Sequence, residues 1–232
     1  MKRNPSVADC DRTALGVVDM RAAENRPSSA RLAATCHPPT LHRMPDLARI
    51  LVVSATAREC AESHGWRTLL CGVGPVDAAA TTAAAIARER PSLILHVGIA
   101  GARRHGAFPP AALVIGTESR YCDLAVPAEW APGTIVSARE LVDAAHRALP
   151  SAVARAIGTS GRVGGTSGCD VEAMEGFAVL RAAQLAGIPA LEVRAISNHI
   201  EEPDRARWHF DAAFAAIIAA TPLLVAELVR AT

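Results

Sequence analysis

The chain is poor in aromatic side chains, with one Tyr, four Phe and three Trp among 232 residues. A protein that reads single-stranded nucleic acid needs aromatic faces on which bases stack, so this scarcity argues against that class. Charge bias is also missing: 24 Lys and Arg stand against 23 Asp and Glu, a net of +1. There is therefore no electrostatic case for nucleic acid or an anionic membrane. The six cysteines (Cys10, Cys36, Cys60, Cys71, Cys122 and Cys169) include no CxxC pair. They are expected to be reduced thiols rather than a disulfide framework or a zinc site. No apolar run is read as long enough for a membrane span. The opening MKRNPSVADCDRTAL has positive charge but no apolar signal core. These absences predict a cytoplasmic protein, and no internal repeat is evident.

Half of the residues are hydrophobic, enough for one sizeable α/β core. Residues 1–47 differ from the rest. They are rich in Arg, Pro, Ser and Ala, show no sustained period, and are broken by Asn25-Arg26-Pro27 and His37-Pro38-Pro39. They are expected to be a disordered extension, or to lie upstream of a true start at Met44. Cys36, His37 and His42 are not expected to bind a metal, because no ordered scaffold holds them. The catalytic domain is expected over 48–232.

Ile50-Leu51-Val52-Val53 is a short, continuously apolar, β-branched run, as found in a strand buried on both faces of a parallel sheet. Arg58 and Glu59 follow at the start of an expected helix, which puts Glu59 at the carboxyl end of the first strand. Thr68–Cys71 reads as the next strand. It runs into Gly72-Val73-Gly74-Pro75 and a helix over Val76–Arg88, with Pro75 suited to the first helical position. Asp77 stands where a dinucleotide fingerprint needs its third glycine, so only an anion-accepting helix start remains. Ser92–Val97 predicts a buried strand leading into a second turn, Gly98-Ile99-Ala100-Gly101. His96, near its end, is either a ligand contact or a core histidine held by backbone.

Further strands are predicted at Ala112–Ile115, closed by Gly116, and at Val153–Ile157. A helix over Ser137–Ala148 is expected to be capped by Ser137. Gly158–Gly168 is a Gly/Ser/Thr loop without the GK[ST] of a Walker A motif. The most informative stretch is Val171–Asn198. Two carboxylates, Glu172 and Glu175, flank Met174. A helix follows, then Gly187-Ile188-Pro189, then an apolar strand over Ala190–Ile196 ending in Ser197-Asn198. In parallel α/β sheets, ligands bind beyond the carboxyl ends of the strands. Asp204–Leu228 predicts a long helical region that Pro222 kinks or divides.

RILVVSATARE, LLCGVGPVDAAA, LILHVGIAGA and VEAMEGFAVLRAAQLAGIPALEVRAISN, in this order and spacing, resemble the purine nucleoside phosphorylase/nucleosidase superfamily from about Arg49 to the C-terminus. Within it, GVGPVDAA, HVGIAGA, AMEG and ISN are most similar to the futalosine hydrolases, which release hypoxanthine from futalosine in menaquinone biosynthesis. Next most similar are the methylthioadenosine/S-adenosylhomocysteine nucleosidases. The resemblance implies an α/β single domain with a mixed, barrel-like central sheet flanked by helices. It also implies a homo-oligomer, a small nucleoside substrate, and no metal or other cofactor. Glu59 matches the acid that activates the attacking water. Met174 and Glu175 match the pair that packs against the ribose and accepts from its hydroxyls. Asn198 stands where adenine-specific enzymes have an Asp that protonates the departing base. Gly74, His96, Gly98, Ile99, Ala100 and Ser197 complete the implied substrate contacts.

These residue types suit the reaction the resemblance implies. Breaking an N-glycosidic bond leaves positive charge on the ribose and negative charge on the purine. A carboxylate at Glu175 would strengthen its hold as the oxocarbenium forms, and Glu59 would serve as base toward water. An amide both donates and accepts, so Asn198 favours a 6-oxopurine over adenine. Phosphorylases carry an Arg at the position of His96 and a hydroxyl residue near Ile99, so water is the expected nucleophile; Arg58 keeps phosphate open. A non-catalytic nucleoside-binding protein would not need Glu59. Arg103, Arg104 and Arg120 are candidates for a 5′-carboxylate, and Trp130 and Phe177 for the same side of the ligand, with core packing the first expectation for Phe177.

Overall fold

Strand β1 (Ile50–Ser54) is buried at every position, because parallel strands flank both of its edges and helices pack on both faces. An apolar run with no alternation is what such a position demands. This computed structural model describes residues 46–164 and 168–231, all inside the unit Arg43–Thr232. The expectations for residues 1–45, including Cys36, His37, His42 and a start at Met44, lie outside the described residues.

In chain order β1 is followed by β2 (Arg67–Leu70), α1 (Pro75–Arg88), β3 (Leu93–Ala102), β4 (Leu113–Tyr121) and β5 (Thr134–Val136). Then come α2 (Arg139–Ala148), β6 (Val153–Thr159), β7 (Val171–Ala173), α3 (Gly176–Leu185), β8 (Ala190–His199) and α4 (Phe210–Leu228). The strand order is β2-β1-β3-β7-β6-β4-β5, and β8 pairs with both β3 and β4. Strands β3, β7, β6, β4 and β8 therefore close into a mixed five-stranded ring. The β3–β8 pairing is parallel and the β4–β8 pairing antiparallel. The expected mixed, barrel-like sheet with flanking helices is what the chain adopts.

Three apolar clusters hold it. One packs α2 and α4 against β1, β3 and β8, through Leu141, Ile217, Leu224, Leu95 and Val193. A second packs α1 and α3 on the opposite face, through Ile86, Leu180, Val53 and Ile94. A third draws Ala100, Val114, Ile157, Val171 and Ile196 from all five strands of the ring.

Several local expectations change. Gly98–Gly101 is not a turn: β3 runs through it to Ala102, with a register shift between Ala100 and Gly101. Gly116 does not close β4, which continues to Tyr121. Glycines suggest breaks, but here neighbouring strands on both sides supply the ladder. Glu59 sits in a single 3-10 turn, Ala57–Glu59, rather than at the start of an α-helix. Ser137 does not cap α2; its hydroxyl donates to the Gly116 carbonyl at 2.7 Å. Pro222 does not divide α4, and only a 3-10 turn at Arg205–Arg207 precedes that helix. Helix α4 is long and apolar enough to cross a membrane, contrary to the reading that no run was. Its buried stripe, Ala213, Ile217, Ala220, Leu224 and Leu228, belongs to the domain core.

Candidate active site

The carboxyl ends of β1, β3 and β8 converge on a cavity of about 220 Å³. Each functional side chain is placed there by a local device. Thr56 and Glu59 form a capping box around the 3-10 turn. Glu59 Oε2 accepts from the Thr56 amide at 3.0 Å and its hydroxyl at 3.2 Å. Its Oε1 accepts from the Ile99 amide at 3.1 Å. Glu59 thus ties the exit of β1 to β3 while lining the cavity at 5% exposure.

Glu175 ends the short connection between β7 and α3. Its Oε1 accepts from the Gly74 amide at 3.0 Å, and its Oε2 lies 3.6 Å from Arg194 Nη2. Burial pushes its pKa above the ordinary carboxylate value, against the opposing pull of Arg194 and the Gly74 amide. Met174 precedes it in the cavity wall. At the end of β8, Asn198 Oδ1 accepts from the Ser197 hydroxyl at 2.7 Å and Nδ2 donates to the His199 carbonyl at 3.0 Å. One N–H and one lone pair of that amide remain for a ligand.

Glu59, Ile99, Ala100, Met174, Glu175, Ser197 and Asn198 all line this one cavity. Gly74, His96 and Gly98 do not. Gly74 contributes its amide to Glu175 instead, with φ 91° and ψ 164° at the head of α1. His96 is fully buried. Its Nδ1 bonds the Val53 carbonyl at 3.0 Å and Nε2 meets Arg194 Nη2. Burial and the neighbouring guanidinium hold its pKa well below the usual value. A neutral ring with Nδ1 protonated satisfies both contacts, so His96 belongs to the core rather than to the ligand. The Gly98 Cα faces Arg194: a Cβ there would overlap the guanidinium and come within 3.0 Å of Glu59 Oε1.

Arg194 was not singled out by sequence reasoning. It is fully buried on β8 among three carboxylates. Its Nε donates to Glu192 Oε1 at 2.8 Å, its Nη2 meets His96, and Glu175 is its second carboxylate neighbour. Trp208, Phe214, Arg162 and Glu172 also line the cavity. Glu172, the other carboxylate flanking Met174, is therefore in the wall. Trp208 Nε1 donates to the Glu202 carbonyl at 3.0 Å. Of the candidates for a 5′-carboxylate, Arg103, Arg104 and Arg120 are absent from the lining of this cavity, and Arg104 lines a neighbouring one that shares Ser197 and Asn198. Arg103 pairs with Glu201, and Arg120 with Glu118. Phe177 stacks on Tyr121 in the core and Trp130 is exposed away from the cavity. Residues 165–167 of the loop after β6 lie outside the described residues.

Residues 60–230 match the phosphorylase superfamily model. The chain belongs to the phosphorylase superfamily. Among its relatives in that superfamily is the futalosine hydrolase of Streptomyces coelicolor, 33% identical over 203 residues, covering 77% of this chain and 78% of that protein. Solved structures agree in fold. The native futalosine hydrolase of Helicobacter pylori has a TM-score of 0.68 at 15% identity, covering 77% of this chain and 97% of that one. The methylthioadenosine/S-adenosylhomocysteine nucleosidase of Streptococcus pneumoniae, bound to a transition-state inhibitor, has a TM-score of 0.68 at 17% identity. It covers 77% of this chain and 99% of that one.

Proposed function

We propose that the chain hydrolyses the N-glycosidic bond of futalosine, releasing hypoxanthine and leaving dehypoxanthine futalosine, a step of menaquinone biosynthesis. The observation that carries this reading is one cavity lined by three buried carboxylates, Glu59, Glu172 and Glu175, in which the end of β8 offers an amide, Asn198, rather than an acid. The 33%-identical futalosine hydrolase supports the same substrate.

In this reading Glu175 accepts hydrogen bonds from the ribose hydroxyls, with Met174 against the sugar. Glu59 takes a proton from water as its oxygen attacks the anomeric carbon. The C–N bond breaks through an oxocarbenium-like state that the two carboxylates stabilise. The electron pair leaves with the purine. The remaining N–H of Asn198 donates to O6 or N7 of the departing 6-oxopurine and spreads its charge. Water rather than phosphate is supported by the neutral, buried His96 and the apolar Ile99. Arg58, which kept phosphate open, pairs with Asp211 at 3.2 Å and lies over the Phe214 ring. The reading includes a cytoplasmic homo-oligomer that works without metal or other cofactor.

The test is to incubate the protein with futalosine, methylthioadenosine and inosine and to follow free base by chromatography. Hypoxanthine from futalosine as the preferred product supports the reading. Adenine from methylthioadenosine as the preferred product overturns it.

A further inference from the structure

Glu192 is fully buried, yet Oε2 of its carboxylate has no hydrogen-bond partner. An unpaired buried carboxylate oxygen is unfavourable, and nothing in the cavity touches it. Beside it lies a second oddity. Gly176 opens α3 with no left-handed backbone that would require glycine, and a Cβ there would fall inside the Glu192 carboxylate. Alanine is the better helix former, so only the space occupied by Glu192 argues for glycine at this position. The two features explain each other: Gly176 is the slot into which Glu192 fits.

The purpose of the slot follows from two distances. Arg194 Nε meets Glu192 Oε1 at 2.8 Å, a charge-assisted hydrogen bond. Arg194 Nη2 stands 3.6 Å from Glu175 Oε2, too far for one. The guanidinium is seated against Gly98 on its other side. Nη2 itself meets His96 Nε2, so Glu192 on Nε and His96 on Nη2 together hold Arg194 back from Glu175, and Glu192 is the charged member of that pair. The cation stays near enough to favour the ionised Glu175, while the oxygen facing it is not consumed by a bidentate pair.

We propose that Glu192, admitted by Gly176, is a positioning residue that keeps Arg194 from closing onto Glu175, leaving the Glu175 carboxylate free to accept ribose hydroxyls. This rests on the reading of Glu175 as the ribose anchor. With Glu192 apolar, Glu175 is the one carboxylate left within reach of an Arg194 Nη2 that otherwise meets only His96, so the guanidinium turns to it and competes with the substrate for the same oxygen.

The experiment compares wild type, Gly176→Ala, Glu192→Val and the double variant Gly176→Ala/Glu192→Val by thermal melting and by kcat/KM. The substrate is whichever of futalosine, methylthioadenosine or inosine the wild type cleaves best, and its 2′-deoxy counterpart. Gly176→Ala alone is expected to lower Tm by several degrees, and the double variant to lose less than the two single variants summed, because the clash is absent once Glu192 is gone. The double variant should nevertheless lose about tenfold in kcat/KM on the ribonucleoside and about threefold or more in its preference over the 2′-deoxy compound. A Gly176→Ala protein as stable as wild type overturns the slot. A stable double variant that keeps the wild-type ribo-to-deoxy preference overturns the positioning role. A wild type that cleaves none of the three nucleosides overturns the functional reading instead, and the melting comparison still decides the slot.

Discussion

Gly72-Val73-Gly74-Pro75 and Gly98-Ile99-Ala100-Gly101 look alike in sequence, and both end near the same cavity, but they work differently. In the first, glycine serves the backbone. Gly72 and Gly74 have φ of 85° and 91°, and the Gly74 pair of angles is one that side-chain-bearing residues essentially never adopt. The bend turns the Gly74 amide onto Glu175 and starts α1. In the second, the chain does not bend. Gly98 is an ordinary strand residue whose missing side chain leaves room for Arg194. One glycine is required by its own torsions, the other by a neighbour's volume. Both requirements converge on Glu175, which takes a hydrogen bond from the first segment and faces the β8 cation, Arg194, for which the second leaves room.

The largest expected effect comes from removing that meeting point. Glu175→Gln keeps the shape but loses the charge proposed to stabilise the developing cation, and kcat/KM should fall by about 10²–10³, the scale of one electrostatic transition-state contact. Folding should survive by circular dichroism. Activity near wild type would remove Glu175 from the reaction. Next is Gly98→Ala, which forces a methyl group into the Arg194 guanidinium. It should destabilise by about 1–3 kcal/mol in a urea melt, as overpacking does, and displace Glu59 enough to lower turnover as well. Gly74→Ala meets no atom within 4 Å, so its effect is torsional alone, about 1–3 kcal/mol. Because that torsional region excludes Asn too, Gly74→Asn should be no better. A tolerated Gly74→Asn would mean the two segments do not differ as described.

The smallest effect is a pH dependence. Burial raises the Glu175 pKa in the folded state. Its protonated form is therefore favoured on folding, and that contribution is complete below the unfolded pKa and is lost as pH rises through the folded one. Glu175→Gln cannot ionise. Its Tm should gain on wild type as pH is raised from the acid side through that raised pKa, measured by calorimetry. A difference that stays flat, or runs the other way, would contradict the assignment.

The comparison also explains what could be read in the sequence. Buried parallel strands were legible because ILVVS and LILHV are apolar without alternation, and Pro75 marked a helix start correctly. The extent of β3 and β4 was not legible. Gly98 and Gly116 suggest breaks unless one knows that β8 lies beside both strands. The cavity carboxylates could be placed through the motif resemblance. Glu192 and Arg194 could not: Ala190–Ile196 reads simply as an apolar strand, and nothing local in it says that its two charges are buried. What buries them is α3 and β3, and the nearest contacts lie far away in sequence, at His96 and Ile99. The one available signal was the glycine of AMEG, whose small size has no local reason. Trp208 and Phe214 reach the wall from beyond the ISN segment, on and after the turn that precedes α4.

The central claim is that water attacks a ribose held by Glu175 and that a 6-oxopurine departs past Asn198. The most direct measurement is a wild-type reaction with futalosine in 18O-labelled water containing inorganic phosphate, analysed by mass spectrometry. The account predicts free hypoxanthine and one 18O on the anomeric hydroxyl of the sugar product. A sugar 1-phosphate carrying no label would contradict it.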